Sequence, residues 1–251
     1  MKNKIFFSLA FAFVAMCSAS CAELLVNNST TLIACKKTAV AVDGDLSDWA
    51  AAQWTTVTKD NGVLDAGTRP LENEKDLLFA FAVGYNEKGL LVAVYELDDK
   101  IVTDSAKPCQ DSAPAWDDDA CEFFVDGNCN RSTNSRANNG EDLKFGGEFS
   151  IVANGAYTSD FSGYPHSFGK LWFGAVKQAK QPTDAEQGIV QYEYLITWEA
   201  MGQTSRPEKI GFNISLQDDD DGGRRDSALY FTGNPKTPFI DESQFGTIVF
   251  K

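Results

Sequence analysis

One histidine, His166, occurs in the 251 residues, and its Tyr164-Pro-His166-Ser setting predicts an exposed loop. That scarcity excludes most imidazole chemistry, because a Ser/His/Asp arrangement has no other ring to draw on. Basic side chains are also few. Against 36 Asp and Glu stand 22 Lys and Arg, for a formal charge of −14. So acidic a surface argues against nucleic acid and anionic membranes, and favours neutral or cationic ligands such as glycans and metal ions. Long apolar runs are missing too. The one at 5–16 is too short to span a bilayer, so no transmembrane segment is expected. Lys2 and Lys4 precede that run and Ser20-Cys21-Ala22 ends it, the layout of a signal peptide (1–22) cleaved after Ala22. Ser18-Ala19-Ser20-Cys21 also approaches a lipobox, but lacks the aliphatic residue three positions before the cysteine. A lipid anchor at Cys21 therefore ranks second. The expectation is a bacterial protein that is secreted, periplasmic or held at the cell surface.

Paired Cys-x-x-Cys spacings are absent, which ranks a thiolate zinc site low. Cys35, Cys109, Cys121 and Cys129 remain after residue 22, an even count for an oxidising compartment. Two disulfides with three possible connectivities are expected. Helical periodicity is scarce as well. Apolar and β-branched runs at 39–42, 79–83, 90–97, 122–125, 148–152, 171–176, 190–198, 210–216, 228–231 and 246–250 predict strands. Asn86-Glu-Lys-Gly89 predicts a hairpin loop, and Asp43-Gly44 and Asn154-Gly155 predict turns. About ten strands without helical partners imply an all-β fold, a two-sheet antiparallel β-sandwich of jelly-roll or immunoglobulin-like type. Residues 128–142 read as a long polar loop. No linker or repeat divides 23–251, so a single monomeric domain is expected.

The chemistry concentrates in Trp116-Asp-Asp-Asp-Ala-Cys-Glu-Phe-Phe-Val-Asp126. Alternation puts Cys121, Phe123 and Val125 on one strand face, and Glu122, Phe124 and Asp126 on the other. An aromatic ring beside a carboxylate suits a sugar: C–H faces stack on the ring and hydroxyls bond the acid. The plainer alternative makes Trp116 a cover for the sheet edge and Glu122 a solvated side chain. Asp43-Gly-Asp-Leu-Ser-Asp-Trp49 predicts Leu46 and Trp49 as a plug at the end of the sandwich, with Asp43, Asp45 and Asp48 facing solvent or a cation. Asp218, Asp219, Asp220 and Asp221 open a hairpin loop that runs to Asp226. Successive carboxylates repel unless solvated or neutralised, and calcium, with six to eight oxygen ligands, suits them. The alternative is a solvated turn with Arg224 and Arg225 as counterions.

The order of these motifs resembles carbohydrate-binding module family 9 and the wider family-9-like and DOMON-like sandwiches. Val42-Asp-Gly-Asp-Leu-Ser-Asp-Trp49 resembles the family's opening, and the pair at 79–98 the strands that follow. Trp116-x-x-Asp-x-x-Glu-Phe-Phe-Val-Asp126 resembles its W-x-x-D-x-x-E-x-F-x-D segment. Tyr192–Trp198 with Glu199, Ile210-Gly-Phe-Asn through Arg225, and Asp241-x-Ser-Gln-Phe-Gly-Thr complete the series. The resemblance implies a secreted, non-catalytic protein recognising a plant-type polysaccharide or its chain ends. Two aromatics would clamp the terminal sugar, Trp116 at the first position and Phe239 near the second, where the family has Trp. Glu122 and Arg225 would fix hydroxyls. The arginine the family places before the Asn154-Gly155 turn is absent: Ser150 lies near it, and Arg131 or Arg136 could substitute.

Two other classes fit less. A glycosidase needs two carboxylates about 5–10 Å apart across a cleft; Glu122 and Glu148 are the candidates, without an accompanying catalytic strand motif. A haem-binding DOMON-type domain would need His166 and Met201, the only methionine beyond residue 22, as axial ligands.

Overall fold

Alternation along the longest apolar strand fixes the layers. Leu90, Val92 and Val94 enter the main core, whereas Leu91, Ala93 and Tyr95 enter a second apolar cluster on the opposite face. Both faces of this strand are therefore covered. The computed structural model describes residues 32–65, 67, 69–159 and 166–251. The expected signal peptide and Cys21 lie outside the described residues. Among those described, no helix is long and apolar enough to cross a membrane.

Among the described residues there are thirteen strands: β1 Leu32–Lys37, β2 Thr55–Val57, β3 Val63–Asp65, β4 Leu77–Tyr85, β5 Gly89–Asp98, β6 Ala120–Asp126, β7 Gly146–Val152, β8 Tyr157–Thr158, β9 Trp172–Lys180, β10 Gly188–Thr197, β11 Lys209–Asp218, β12 Ser227–Tyr230 and β13 Gly246–Phe250. They form one curled path, β8-β7-β6-β11-β13-β1-β4-β5-β10-β9. The part up to β13, joined by β12 and β3, is the front sheet; the part from β4, joined by β2, is the back sheet. Their inner faces pack through aromatic contacts, Phe81 against Phe212 and Phe123 against Tyr194, with centroids 5.9 and 6.2 Å apart.

The wholly antiparallel expectation is corrected at β1. Leu32–Cys35 run parallel to β13, and Lys36 and Lys37 parallel to β4, so one strand stitches the two sheets together. Both partners are reached through long connections, and no hairpin imposes the opposite direction. The run at 39–42 is not a strand. Val40 and Val42 instead pack on the outer face of the back sheet, beside Leu46 and Trp49. That pair covers this face rather than plugging the end. Trp49 Nε1 donates to Glu193 Oε1 at 2.7 Å, and Glu193 Oε2 accepts from the amides of Asp43 and Gly44. The Asn86 loop forms as expected, its Oδ1 accepting from the amides of Lys88 and Gly89.

His166 is buried rather than exposed: its Nε2 lies 2.6 Å from the Gly146 carbonyl and its ring lies against Phe149. Met201 is part of the main core. Both side chains are buried, His166 at 4 % and Met201 at 0 % exposure.

The expected disulfides do not form. Cys35, Cys109, Cys121 and Cys129 are free thiols. Cys109 Sγ lies 3.6 Å from the Asn154 carbonyl, beyond the Ala120 end of β6, and Cys129 follows the Asp126 end. Those ends are about 20 Å apart, and β1 and β6 are separated by about 14 Å across the sheet, far beyond the about 7 Å reach of a disulfide. Cys35 and Cys121 belong to the main core, and burial pushes the Cys35 thiol up to about 12 and that of Cys121 well above its usual range. Pulse alkylation of native protein should label Cys109 first and Cys129 more slowly, leaving Cys35 and Cys121 unlabelled until unfolding. Peptide mass spectrometry checks this; cross-linked peptides in place of labelled ones would refute it.

Candidate functional site

The outward side of β6 is closed over, although it is polar. Glu122 and Glu148 are each 3 % exposed. Register explains how they meet: Glu122 lies opposite Ser150 on β7 and Ser215 on β11, and Glu148 lies opposite Phe124. Glu122 Oε2 accepts from Gln217 Nε2 at 2.7 Å and from Ser215 Oγ at 3.3 Å, while Glu148 Oε1 accepts from Ser150 Oγ at 3.2 Å. The two carboxyls are near enough to perturb each other's titration. Burial raises the pKa of both, most strongly that of Glu148, and the nearby Arg225 guanidinium partly offsets this. Arg225 lies just before β12, within 3.8 Å of Asp65 on β3.

Aromatics flank this floor. Trp116, half-buried, occupies the 3-10 turn Ala115–Asp117, which packs against β6 and β7. Phe239 packs on the cluster of Phe124, Ala228, Tyr230 and Phe245, and the Arg136 guanidinium lies 5.1 Å above its ring. Arg131 is committed elsewhere, donating to the carbonyls of Phe245 and Gly246 and to the Thr247 hydroxyl. Of the basic residues considered in place of the missing β7 arginine, Arg136 reaches the second ring. Arg225, from another element, reaches the acids.

A second acidic centre closes one end of the sandwich. The inward alternation of β5 continues past Val92 and Val94 to Glu96 and Asp98, so carboxylates follow valines into the core. Carboxylate oxygens of Glu96, Asp98 and Asp119 lie within 4.8 Å of one another, as do those of Asp76, Asp218 and Asp220, and of Asp104, Asp118 and Asp219. Several of these acids have one oxygen bonded and the other orphaned. Glu96 accepts from Tyr192, Asp98 from the Lys100 amide and Asp218 from Ser227, while Glu96 Oε1, Asp98 Oδ2, Asp218 Oδ1, Asp219 Oδ2 and Asp220 Oδ1 are buried without a partner. Burial pushes Glu96 up to about 8 and Asp218 to about 7, and raises Asp98 and Asp119 well above the carboxylate range. Among the described residues, cations reach only part of this centre. Arg69 reaches Asp220, Asp221 and Asp226, and Lys100 reaches Asp220, whereas Arg224 points to Asp117. Arg224 and Arg225 are thus not the counterions of the Asp218–Asp221 loop.

Residues 42–251 match the family described as carbohydrate family 9 binding domain-like. The chain belongs to this family. No curated protein matches it. Among solved structures it is similar to a carbohydrate-binding module family 9 domain from Caldicellulosiruptor kristjanssonii in complex with cellotriose. The TM-score is 0.64 at 16 % identity, over 88 % of this chain and 94 % of that one. The same organism's domain in complex with glucose gives 0.63 at 17 % identity, over 88 % and 96 %. At such identities the likeness concerns the fold.

In this family 9 chain the expected Glu122 and Arg225 meet at the front face, with Trp116 and Phe239 at its borders. Of the expected metal residues, Asp218, Asp219 and Asp220 are inside the acidic end, and Asp221 is exposed at its rim. Glu96, Asp98 and Asp119 were missed, although strict alternation along β5 carries the first two inward. Because burial raises Glu148, its folded form binds a proton more tightly than its unfolded form. The associated stability is present below about 4.5 and is lost as pH rises through the folded value. Glu148→Gln, neutral at every pH, should therefore raise the melting temperature at pH 8 but not at pH 4, and flatten the profile between. Thermal scans across that range test it, and a lower melting temperature at pH 8 would contradict it.

Proposed function

We propose that this protein binds carbohydrate without catalysis, through the outer face of the front sheet. Trp116 and Phe239 are its stacking rings, and Glu122 with Arg225 supplies its polar floor. The observation that carries the reading is the buried Glu122–Glu148–Arg225 cluster between two partly exposed aromatics, at the strand the family motif occupies. A ring gains contact with the apolar face of a sugar, and charged groups bond its hydroxyls. The relatives' cellotriose and glucose complexes support a β-glucan or similar plant-type polysaccharide, or its chain ends, as target. Glycosidase action is disfavoured, since both candidate carboxyls are buried rather than facing each other across an open cleft as catalysis needs. An exported monomer acting in attachment or substrate capture completes the reading.

Calcium is the second part of the proposal. Clustered oxygen donors with orphaned lone pairs suit a hard cation, and the residues that would hold it are Glu96, Asp98 and Asp119, with the expected Asp218 and Asp220 forming a neighbouring group with Asp76. The ion would neutralise charge where the fold supplies none, and its role would be structural.

Binding by a glycan panel and titration calorimetry tests the first part. Trp116→Ala should abolish binding while leaving the melting temperature unchanged. Glu122→Gln should weaken it by roughly 1.5–3 kcal/mol, the scale of hydrogen bonds to a charged group. Phe239→Trp should tighten it by enlarging the second ring. A folded Trp116→Ala variant that binds as the parent does would defeat the reading.

Chelation tests the second part. An ion bound only by the folded state stabilises by about 2.7 kcal/mol at a hundredfold excess over its dissociation constant. Removal should lower the melting temperature, calcium should restore it, and Asp98→Asn should blunt the response. Melting unchanged by chelator, with no calcium by elemental analysis, would refute it.

A further inference from the structure

The curled sheet does not close. Its ends, β8 and β9, each have a strand neighbour on one side only among the described residues. They come back toward each other at a seam, where a Cβ on Gly174 of β9 would lie 2.2 Å from Ile151 Cδ1 of β7. Beside this contact a cavity of about 640 Å³ opens, within the roughly 300–1,000 Å³ usual for small-molecule sites. Small residues create it: Ala153 and Gly155 on one side, Gly174 and Ala175 on the other.

The lining is unlike the rest of the surface. In a chain of net charge −14, no carboxylate, amine or guanidinium lines this cavity among the described residues. One wall is an aromatic pair, Tyr157 and Phe168, stacked with centroids 3.9 Å apart and planes 17° from parallel. Phe168 is 37 % exposed, which leaves part of a large apolar ring facing water. Neutral hydrogen-bonding groups, the Thr103 hydroxyl and the Gln178 amide, complete the rim. Uncharged walls disfavour ionic ligands. A wall that is part ring and part amide or hydroxyl matches a molecule with both C–H faces and hydroxyls.

The geometry points to the seam as a second binding site, separate from the front face, for a neutral sugar or short neutral oligosaccharide. Phe168 is the stacking ring, and Gln178 and Thr103 bond hydroxyls. No residue is shared with the Glu122–Arg225 face, so either site can fail without the other.

Cys109 lines this cavity and is exposed, so its alkylation rate reports occupancy. The experiment uses the full chain carrying Trp116→Ala, which removes the front ring, with cellotriose and xylotriose at up to roughly 20 mM, a range that detects millimolar affinity. One of these sugars is expected to slow Cys109 alkylation at least threefold and to shift the amide resonances of Gly174 and Gln178. Phe168→Ala in the same background should abolish both effects. Because that ring also meets Trp172, Gln178→Ala serves as a second variant; exposed on the rim, it should weaken the sugar's effect several-fold without altering the fold. Unchanged alkylation and resonances with both sugars, or effects that persist undiminished in both variants, would overturn the proposal.

Discussion

Carboxylates removed from water at one end of the sandwich set the terms for the rest of the molecule. Glu96 and Asp98 continue the core face of β5, Asp119 leads into β6, and Asp218 ends β11, so three strands bring charge to one buried point. Uncompensated, such charges would drive the strands apart, since attraction and repulsion both strengthen where water is excluded. The proposed binding face hangs from this point. Trp116 lies three residues before Asp119, and Arg225 immediately precedes Asp226, whose amide donates to the Asp218 carbonyl at 2.7 Å. Whatever neutralises the acidic end also fixes the turn that carries the ring and the loop that carries the guanidinium.

The two groups of buried acids differ in what is within reach. At the front face the Arg225 guanidinium partly offsets the burial that raises Glu122 and Glu148, and Ser215, Gln217 and Ser150 supply these carboxyls with donors. Inside the acidic end, Glu96, Asp98 and Asp119 crowd together while Arg69 and Lys100 reach only the outer aspartates. Protons alone would have to be held at several neighbouring sites at neutral pH, and the orphaned oxygens would still lack donors. This asymmetry supports the front pair as the polar floor proposed for a ligand and the acidic end as the site proposed for a cation.

Much of the fold was legible because alternation survives in the long strands. The runs at 90–97, 122–125 and 210–216 became β5, β6 and β11, and the face assignment of Cys121, Phe123 and Val125 held in the core. What was missed lacks local signal. β2 and β3 are three residues each and β8 two, too short for a period, and the parallel pairing of β1 depends on partners far along the chain. The cysteines misled because an even count speaks to compartment and not to distance. For the site, Trp116 and Glu122 were visible as a motif. The Glu122–Glu148 contact needed the register of β6 against β7, and the cation residues needed the recognition that an alternating strand keeps its phase when valine gives way to acid.

The covering of the back sheet decides which surfaces remain for ligands. Its outer face is apolar along β5, through Leu91, Ala93 and Tyr95, and would otherwise be a broad sticky patch. Leu46 and Trp49 close it, with the indole tied to Glu193 and the chain at Asp43 and Gly44 tied to the same carboxylate. A ring that donates its N–H inward to a buried acid has its polar handle and one face committed to structure. Trp49 therefore cannot take the part proposed for Trp116, although both border acidic motifs in sequence. The front sheet bears the opposite arrangement, with polar floor residues beneath rings that keep part of their surface in water. The two surfaces proposed for recognition, the front face and the seam, are places where partly exposed aromatic rings lie beside polar side chains.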